Sequence, residues 1–174
     1  HDPHQAVSTG PLVPGCQICV RHGYMSFPVG FACNAQCPFC FVEIHSPDIA
    51  DEDERYHRSA LLKRFHRRKD ALEGVSLSGG EPLLYLAELQ ASALEIIAAK
   101  PDLHFWVYTN GILADEEHLR FLQALGIQEI RFNLAATGYS EKTLENLARA
   151  REMFKYLVVE VPSYPEQSDA LVGC

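Results

Sequence analysis

The alternation of strand-like and helix-like segments along the chain predicts an α/β fold, a parallel sheet of about five βα units curled into a partial, open barrel. Five short runs rich in β-branched and aromatic residues recur, separated by segments whose apolar residues return at helical spacing. The connections are short, and helical crossovers of this kind join parallel strands with right-handed sense. The chemically unusual residues fall where the strand-like runs end, and parallel α/β sheets bind ligands beyond the C-terminal ends of their strands.

Taken in order, residues up to Pro14 are polar and Pro- and Gly-bearing, and read as an extended arm. Gly15-Cys16-Gln17-Ile18-Cys19 adds an isolated C-x2-C, so residues 1–22 are expected as an N-terminal arm and 23–174 as the core domain. His1-Asp2-Pro3-His4 reads as a tag remnant or a cut start and is left out of the fold reasoning. Tyr24 to Phe31 predicts the first strand. Asp48 to Asp70 is charged, with Tyr56, Leu61, Leu62 and Phe65 at helical spacing, and predicts an amphipathic helix. Gly74 to Ser78 predicts a strand closed by Gly79-Gly80. Leu83 to Ala99 repeats Leu86, Leu89, Ala93, Ile96 and Ile97 on one helical face, and Lys100-Pro101-Asp102 breaks it. Leu103 to Tyr108 is a buried-type strand, turned by Asn110-Gly111. Asp115 caps a helix that ends before Gly126. Ile127 to Leu134 is a strand, Ser140 caps a helix to Met153, and Tyr156 to Val161 is the last strand, stopped by Pro162 and Pro165. Five strands are too few to close a barrel, so the expectation is a small open barrel or a piece of a longer protein.

The 174 residues fit one domain, and 47% hydrophobic composition supplies a substantial core. A formal net charge of -8 argues against a general nucleic-acid binder. Apolar runs such as Phe105 to Tyr108 are far too short to span a bilayer, and the start shows no signal-peptide pattern. The expectation is a cytoplasmic protein with neither a nucleic-acid nor a membrane partner. Six cysteines, Cys16, Cys19, Cys33, Cys37, Cys40 and Cys174, cluster at metal-ligand spacing rather than as a disulfide framework.

Cys33, Cys37 and Cys40 are spaced C-x3-C-x2-C directly after the first strand. Three thiolates on a four-iron cluster leave one iron without a protein ligand. An open metal position can bind and activate a substrate, as open zinc sites do. The bland alternative is structural zinc, completed by His45 or by Cys16 and Cys19. Beside the cysteines, the strand ends carry Ser78-Gly79-Gly80-Glu81-Pro82, then Thr109-Asn110-Gly111, then Arg131 and Asn133. Without Cβ, Gly79 and Gly80 let a ligand approach the backbone closely. Glu81, before Pro82, is held extended. Each stretch alone reads as an ordinary turn or a buried amide; their shared rim makes them candidates. The basic run Lys63 to Lys69 reads as a solvated helix face rather than a docking patch. Tyr24, Phe27, Trp106 and Tyr108 read as core.

Cys33-x3-Cys37-x2-Cys40, with Phe39 before the last cysteine, followed by Gly79-Gly80-Glu81-Pro82 and Thr109-Asn110-Gly111, resembles the radical S-adenosylmethionine (radical SAM) superfamily. The resemblance runs from Tyr24 to Val161 and implies a TIM-barrel-like partial barrel. It implies that Cys33, Cys37 and Cys40 hold a [4Fe-4S] cluster whose fourth iron chelates S-adenosylmethionine. It implies cofactor contacts from Phe39, Ser78, Gly79, Gly80, Glu81, Thr109, Asn110 and Asn133. It implies an enzyme that reductively cleaves S-adenosylmethionine to a 5′-deoxyadenosyl radical, which abstracts hydrogen from a substrate. A one-electron donor of the flavodoxin or ferredoxin type is then a partner. A peptide or protein side chain is the favoured substrate. A glycyl-radical-enzyme activase and a small-metabolite enzyme are the alternatives, with a non-catalytic zinc or iron–sulfur module as the reading from another class. Cys16 and Cys19 read either as free thiols or a small zinc knuckle, or as ligands of an auxiliary metal or cluster. Many members carry a sixth unit that this chain lacks.

Overall fold

The computed structural model of the chain describes residues 9–40 and 57–162, together with Asp169. His1 to His4, His45, the first part of the Asp48–Asp70 helix, Pro165 and Cys174 lie outside the described residues. Five strands, β1 (Tyr24–Gly30), β2 (Gly74–Gly79), β3 (His104–Thr109), β4 (Glu129–Phe132) and β5 (Tyr156–Val159), pair in chain order. Every pair is parallel. Helix α1 (Pro14–Val20) precedes β1, and α2 (Arg58–Arg68), α3 (Leu86–Ala99), α4 (Glu116–Ala124) and α5 (Glu141–Met153) connect successive strands. The protein is thus the expected α/β open parallel sheet with helical crossovers.

Successive side chains along a strand point to opposite faces. Met25, Phe27, Val75, Leu77, Phe105, Val107, Ile130 and Phe132 share one face and pack with Leu61 and Phe65 of α2, Leu89 and Ile96 of α3, and Leu119 and Leu122 of α4. Fully burying an aliphatic or aromatic side chain of this size contributes about 1.5–3 kcal/mol. This layer therefore holds the unit together. The alternate residues, Tyr24, Ser26, Ser76, Ser78, Trp106, Tyr108, Glu129 and Arg131, form the opposite, inner face. Their contacts with one another establish this: Ser26 Oγ bonds Ser78 Oγ at 2.9 Å, and Arg131 lies over both the Trp106 and Tyr108 rings. Phe27 and Trp106 are buried as expected, but on different faces.

Several boundaries differ from the expectation for identifiable reasons. The segment with Cys16 and Cys19 is not an extended arm. It is helix α1, with Pro14 in its first turn and Ile18 buried, and Gly15 N donates to Glu129 Oε2 at 2.9 Å. Residues 14–20 therefore pack against the sheet through Gly15 and Ile18. The helix expected from Leu83 begins at Leu86, because Pro82–Leu84 form a separate 3-10 turn ended by Tyr85. β4 starts at Glu129, since Ile127 N is taken by Leu122 O in the left-handed stop at Gly126 (φ 78°). It ends at Phe132, where Leu134–Thr137 wind into a 3-10 turn. The caps on α4 and α5 form as expected: Asp115 Oδ1 accepts from His118 N at 3.1 Å, and Ser140 Oγ from Thr143 N at 3.4 Å. Among the described residues, no helix is long and apolar enough to cross a membrane.

Candidate functional site

The C-terminal rim of the sheet is built where β1 and β2 end. Ala32 N donates to Tyr85 Oη at 2.7 Å, and the Tyr85 ring fills the space a Cβ at Gly30 would need. Gly79 has φ 129°, and a Cβ there would fall on the Gly30 carbonyl. A Cβ at Gly80 would fall on the carbonyls of Phe31 and Ala32. Gly80 N donates to Gly30 O at 2.9 Å and Glu81 N to Ala32 O at 2.9 Å. The sequence predicts crowding by a ligand at this Gly-Gly pair. The structure shows crowding by the protein's own backbone at the entrance to the cysteine loop.

The three thiols follow directly. Cys33 Sγ accepts from Ala35 N at 3.4 Å and from Asn110 Nδ2 at 3.6 Å. Cys37 Sγ lies 4.0 Å from Ala136 O, and Cys40 N donates to Cys37 O at 3.1 Å. Burial pushes the Cys37 thiol up, and the neighbouring Cys33 and Cys40 push it further the same way. The three thiols thus lie along a single loop at the rim. N–H donors on a ligand sulfur are a means by which proteins tune iron–sulfur clusters, so this donor set fits such a cluster. Among the described residues, no three His, Cys, Asp or Glu side chains group closely enough to hold a single metal ion.

Behind the loop lies Glu81, fully buried. Its Oε1 accepts from Leu83 N at 3.1 Å and Thr109 Oγ1 at 2.9 Å, and its Oε2 from Asn110 N at 2.8 Å. Burial pushes this carboxyl above its ordinary range, with the three donors holding it back. Thr109 Oγ1 also accepts from Gly111 N, and Asn110 Oδ1 from Ile112 N, each at 3.0 Å. The side chains of Glu81, Thr109 and Asn110 are thus spent on one another and on the cysteine loop. Ser78 Oγ is engaged with Ser26. Asn133 differs: its N donates to Thr109 O at 2.9 Å, while its buried Oδ1 has no partner. Phe39 is half-buried within the cysteine loop.

The opposite end of the inner face carries a charged cluster. Arg131 Nε donates to Glu129 Oε1 at 2.7 Å, Nη1 to Glu160 and to Tyr108 Oη, and Nη2 to Cys16 Sγ at 3.5 Å. His104 Nε2 lies 3.0 Å from Glu129 Oε2. Burial works against the Arg131 charge, but Tyr108, Glu129 and Glu160 raise its pKa overall. Burial pushes the Cys16 thiol up, despite Arg131 beside it. Cys16 thus sits beside the Arg131–Glu129 pair, and Cys19 beside Tyr24 at the start of β1. Sequence reasoning singled out Arg131 but missed Glu129, Glu160 and His104. The available signal was Glu129-x-Arg131-x-Asn133, three polar residues at period two beside the apolar Ile130 and Phe132.

A family model described as the radical SAM superfamily matches residues 27–160. A relative from Methanocaldococcus jannaschii, named "Putative glycyl-radical enzyme activating enzyme MJ0021", is 24% identical over 170 residues, covering 92% of this chain and 45% of its own. The chain thus spans about half the length of that curated relative. Among solved structures, BtrN in complex with AdoMet and 2-DOIA shares the fold, with TM-score 0.54 and 22% identity over 78% of this chain and 56% of that one. A sheet of five parallel strands, a three-cysteine loop at its C-terminal rim and a family match over residues 27–160 lead to one conclusion: the chain belongs to the radical SAM superfamily.

Proposed function

We propose that this chain is the core of an enzyme that generates a carbon radical at the rim formed by β1 to β4 and uses it to abstract hydrogen from a polypeptide. The observation that carries the reading is the direct anchoring of the Cys33–Cys40 loop to the Gly79-Gly80-Glu81 turn and to Asn110. In this reading Cys33, Cys37 and Cys40 hold a [4Fe-4S] cluster. Gly79, Gly80, Ser78 and Asn133 line S-adenosylmethionine, with the orphaned Asn133 Oδ1 as an acceptor for a ribose hydroxyl or ammonium proton. Phe39 flanks the adenine. Glu81, Thr109 and Asn110 fix the rim on which the cofactor rests. When bound, these groups would supply one-electron reductive cleavage of a sulfonium C–S bond and, through it, hydrogen-atom abstraction from the substrate. The chain's own contribution is to orient both groups and keep water off them.

A flavodoxin- or ferredoxin-type donor provides the electron, and a reducing cytoplasm suits so oxygen-labile a site. The relative's name favours a glycyl residue of a partner enzyme as the polypeptide target. The test is anaerobic reconstitution with iron and sulfide, then dithionite and S-adenosylmethionine. The expected product is 5′-deoxyadenosine, absent from a Cys37→Ala control; equal amounts from both sink the reading. Supplying a glycyl-radical enzyme should then give a protein-based glycyl signal by electron paramagnetic resonance (EPR).

A further inference from the structure

We infer that Asn110 is a positioning residue for the metal loop, and that its side-chain amide raises the reduction potential of whatever iron–sulfur cluster Cys33 helps to hold. The inference rests on the cluster assignment proposed above. It assigns Asn110 to a ligand sulfur rather than to S-adenosylmethionine.

The geometry allows the residue one arrangement. Asn110 is 6% exposed. Its N is held by Glu81 Oε2 at 2.8 Å, and its Oδ1 by Ile112 N at 3.0 Å. With the oxygen fixed by a donor, the Nδ2 end is forced toward the cysteine loop. There it donates to Asn34 Oδ1 at 2.7 Å and reaches Cys33 Sγ at 3.6 Å. Cys33 is therefore met by a side-chain donor as well as by Ala35 N. Cys37 faces a carbonyl, that of Ala136. The asymmetry has a physical consequence. Reduction adds negative charge to a cluster and its thiolates, and an N–H aimed at a ligand sulfur stabilises the more negative state. The Glu81 carboxylate enters through Asn110, whose backbone it fixes, and so acts on the metal loop at one remove.

The experiment compares wild type, Asn110→Ala, Asn110→Asp and Asn34→Ala after anaerobic reconstitution. It reads iron per chain and the midpoint potential by EPR-monitored titration, without S-adenosylmethionine. The expected result is equal iron in all four. Asn34→Ala keeps the wild-type potential, because its partner still donates to Cys33. Asn110→Ala shifts to a more negative potential, and Asn110→Asp, which also adds a charge, shifts further. Unchanged potentials in the two Asn110 variants at full iron content would overturn the inference. Failure of both variants to hold iron would overturn it as well, since Asn110 would then be only a scaffold. A wild type that takes up no iron fails the cluster assignment itself, which keeps the two outcomes apart.

Discussion

Two glutamates, Glu81 at the C-terminal rim and Glu129 at the opposite end of the inner face, are equally buried and differently served. Glu81 meets only neutral donors, two backbone N–H groups and a hydroxyl, and burial leaves its carboxyl above the ordinary range. Burial would raise Glu129 too. Hydrogen bonds from His104 and Gly15 and the charge of Arg131 outweigh it, so that carboxyl lies below the ordinary range. Among the described residues, the hydrogen-bond partners of Glu81 at the rim include no cation, while the other end is cross-linked by charge. The difference separates a working end of the sheet from a structural end, and each end has its own cysteines.

The sharpest test of that division is a pair of substitutions. Cys37→Ala should abolish cluster binding and all cofactor cleavage, whereas Cys16→Ala should keep the iron content of wild type. Iron analysis after anaerobic reconstitution decides, and equal losses would erase the distinction between the ends. Next in size is Arg131→Met. Removing the cation from a buried ion-pair network costs about 3–5 kcal/mol. Denaturant unfolding should show a loss of that order; a cost near that of an exposed ion pair would mean the network at this end is not structural.

At the rim, Gly80→Ala should cost about 1–3 kcal/mol, in the range of overpacking. The new methyl would meet the Phe31 and Ala32 carbonyls and displace the cysteine loop, so iron content should fall with stability. Gly126→Ala is the control. Its φ is also positive but its Cβ would stand in open space, so about 1 kcal/mol of strain and no change in iron are expected. The smallest effect concerns pH. Glu129, with a lowered carboxyl, contributes stability that is present above the ordinary glutamate value of about 4.3 and lost as pH falls through its folded value. Glu81, with a raised one, contributes stability that is present below about 4.3 and lost as pH rises through its folded value. In thermal melts from pH 3.5 to 7, the deficit of Glu129→Gln should therefore shrink on acidification and that of Glu81→Gln should grow. Parallel curves would remove the contrast.

What could be read from the sequence follows the range of the forces involved. β2, β3 and β5 begin within a residue of where the apolar runs place them, and Asp115, Ser140 and Gly126 cap or stop their helices through bonds spanning a few residues. Helix α1 was illegible because seven residues with one large buried side chain, Ile18, show no periodicity. It is tied to a glutamate 114 positions away. At the site, the need for glycine at 79 and 80 was legible, but the atoms pressing on them were not. The same holds for Glu81, Thr109 and Asn110. Their place at one rim follows from strand ends, whereas their use of each other depends on contacts 28 and 29 residues apart.

The Tyr85 ring standing where a Gly30 side chain would be makes these two positions one unit of variation. Any side chain at 30 requires the ring at 85 to shift or to be replaced by a smaller residue, and either change weakens or forfeits the phenol that receives Ala32 N. The pair should therefore show reciprocal epistasis: Gly30→Ala is tolerated better with Tyr85→Leu than alone, although Tyr85→Leu is harmful by itself. The entrance to the cysteine loop then evolves by double steps, with Tyr–Gly at 85 and 30 as a combination that single changes can leave only through a less stable protein.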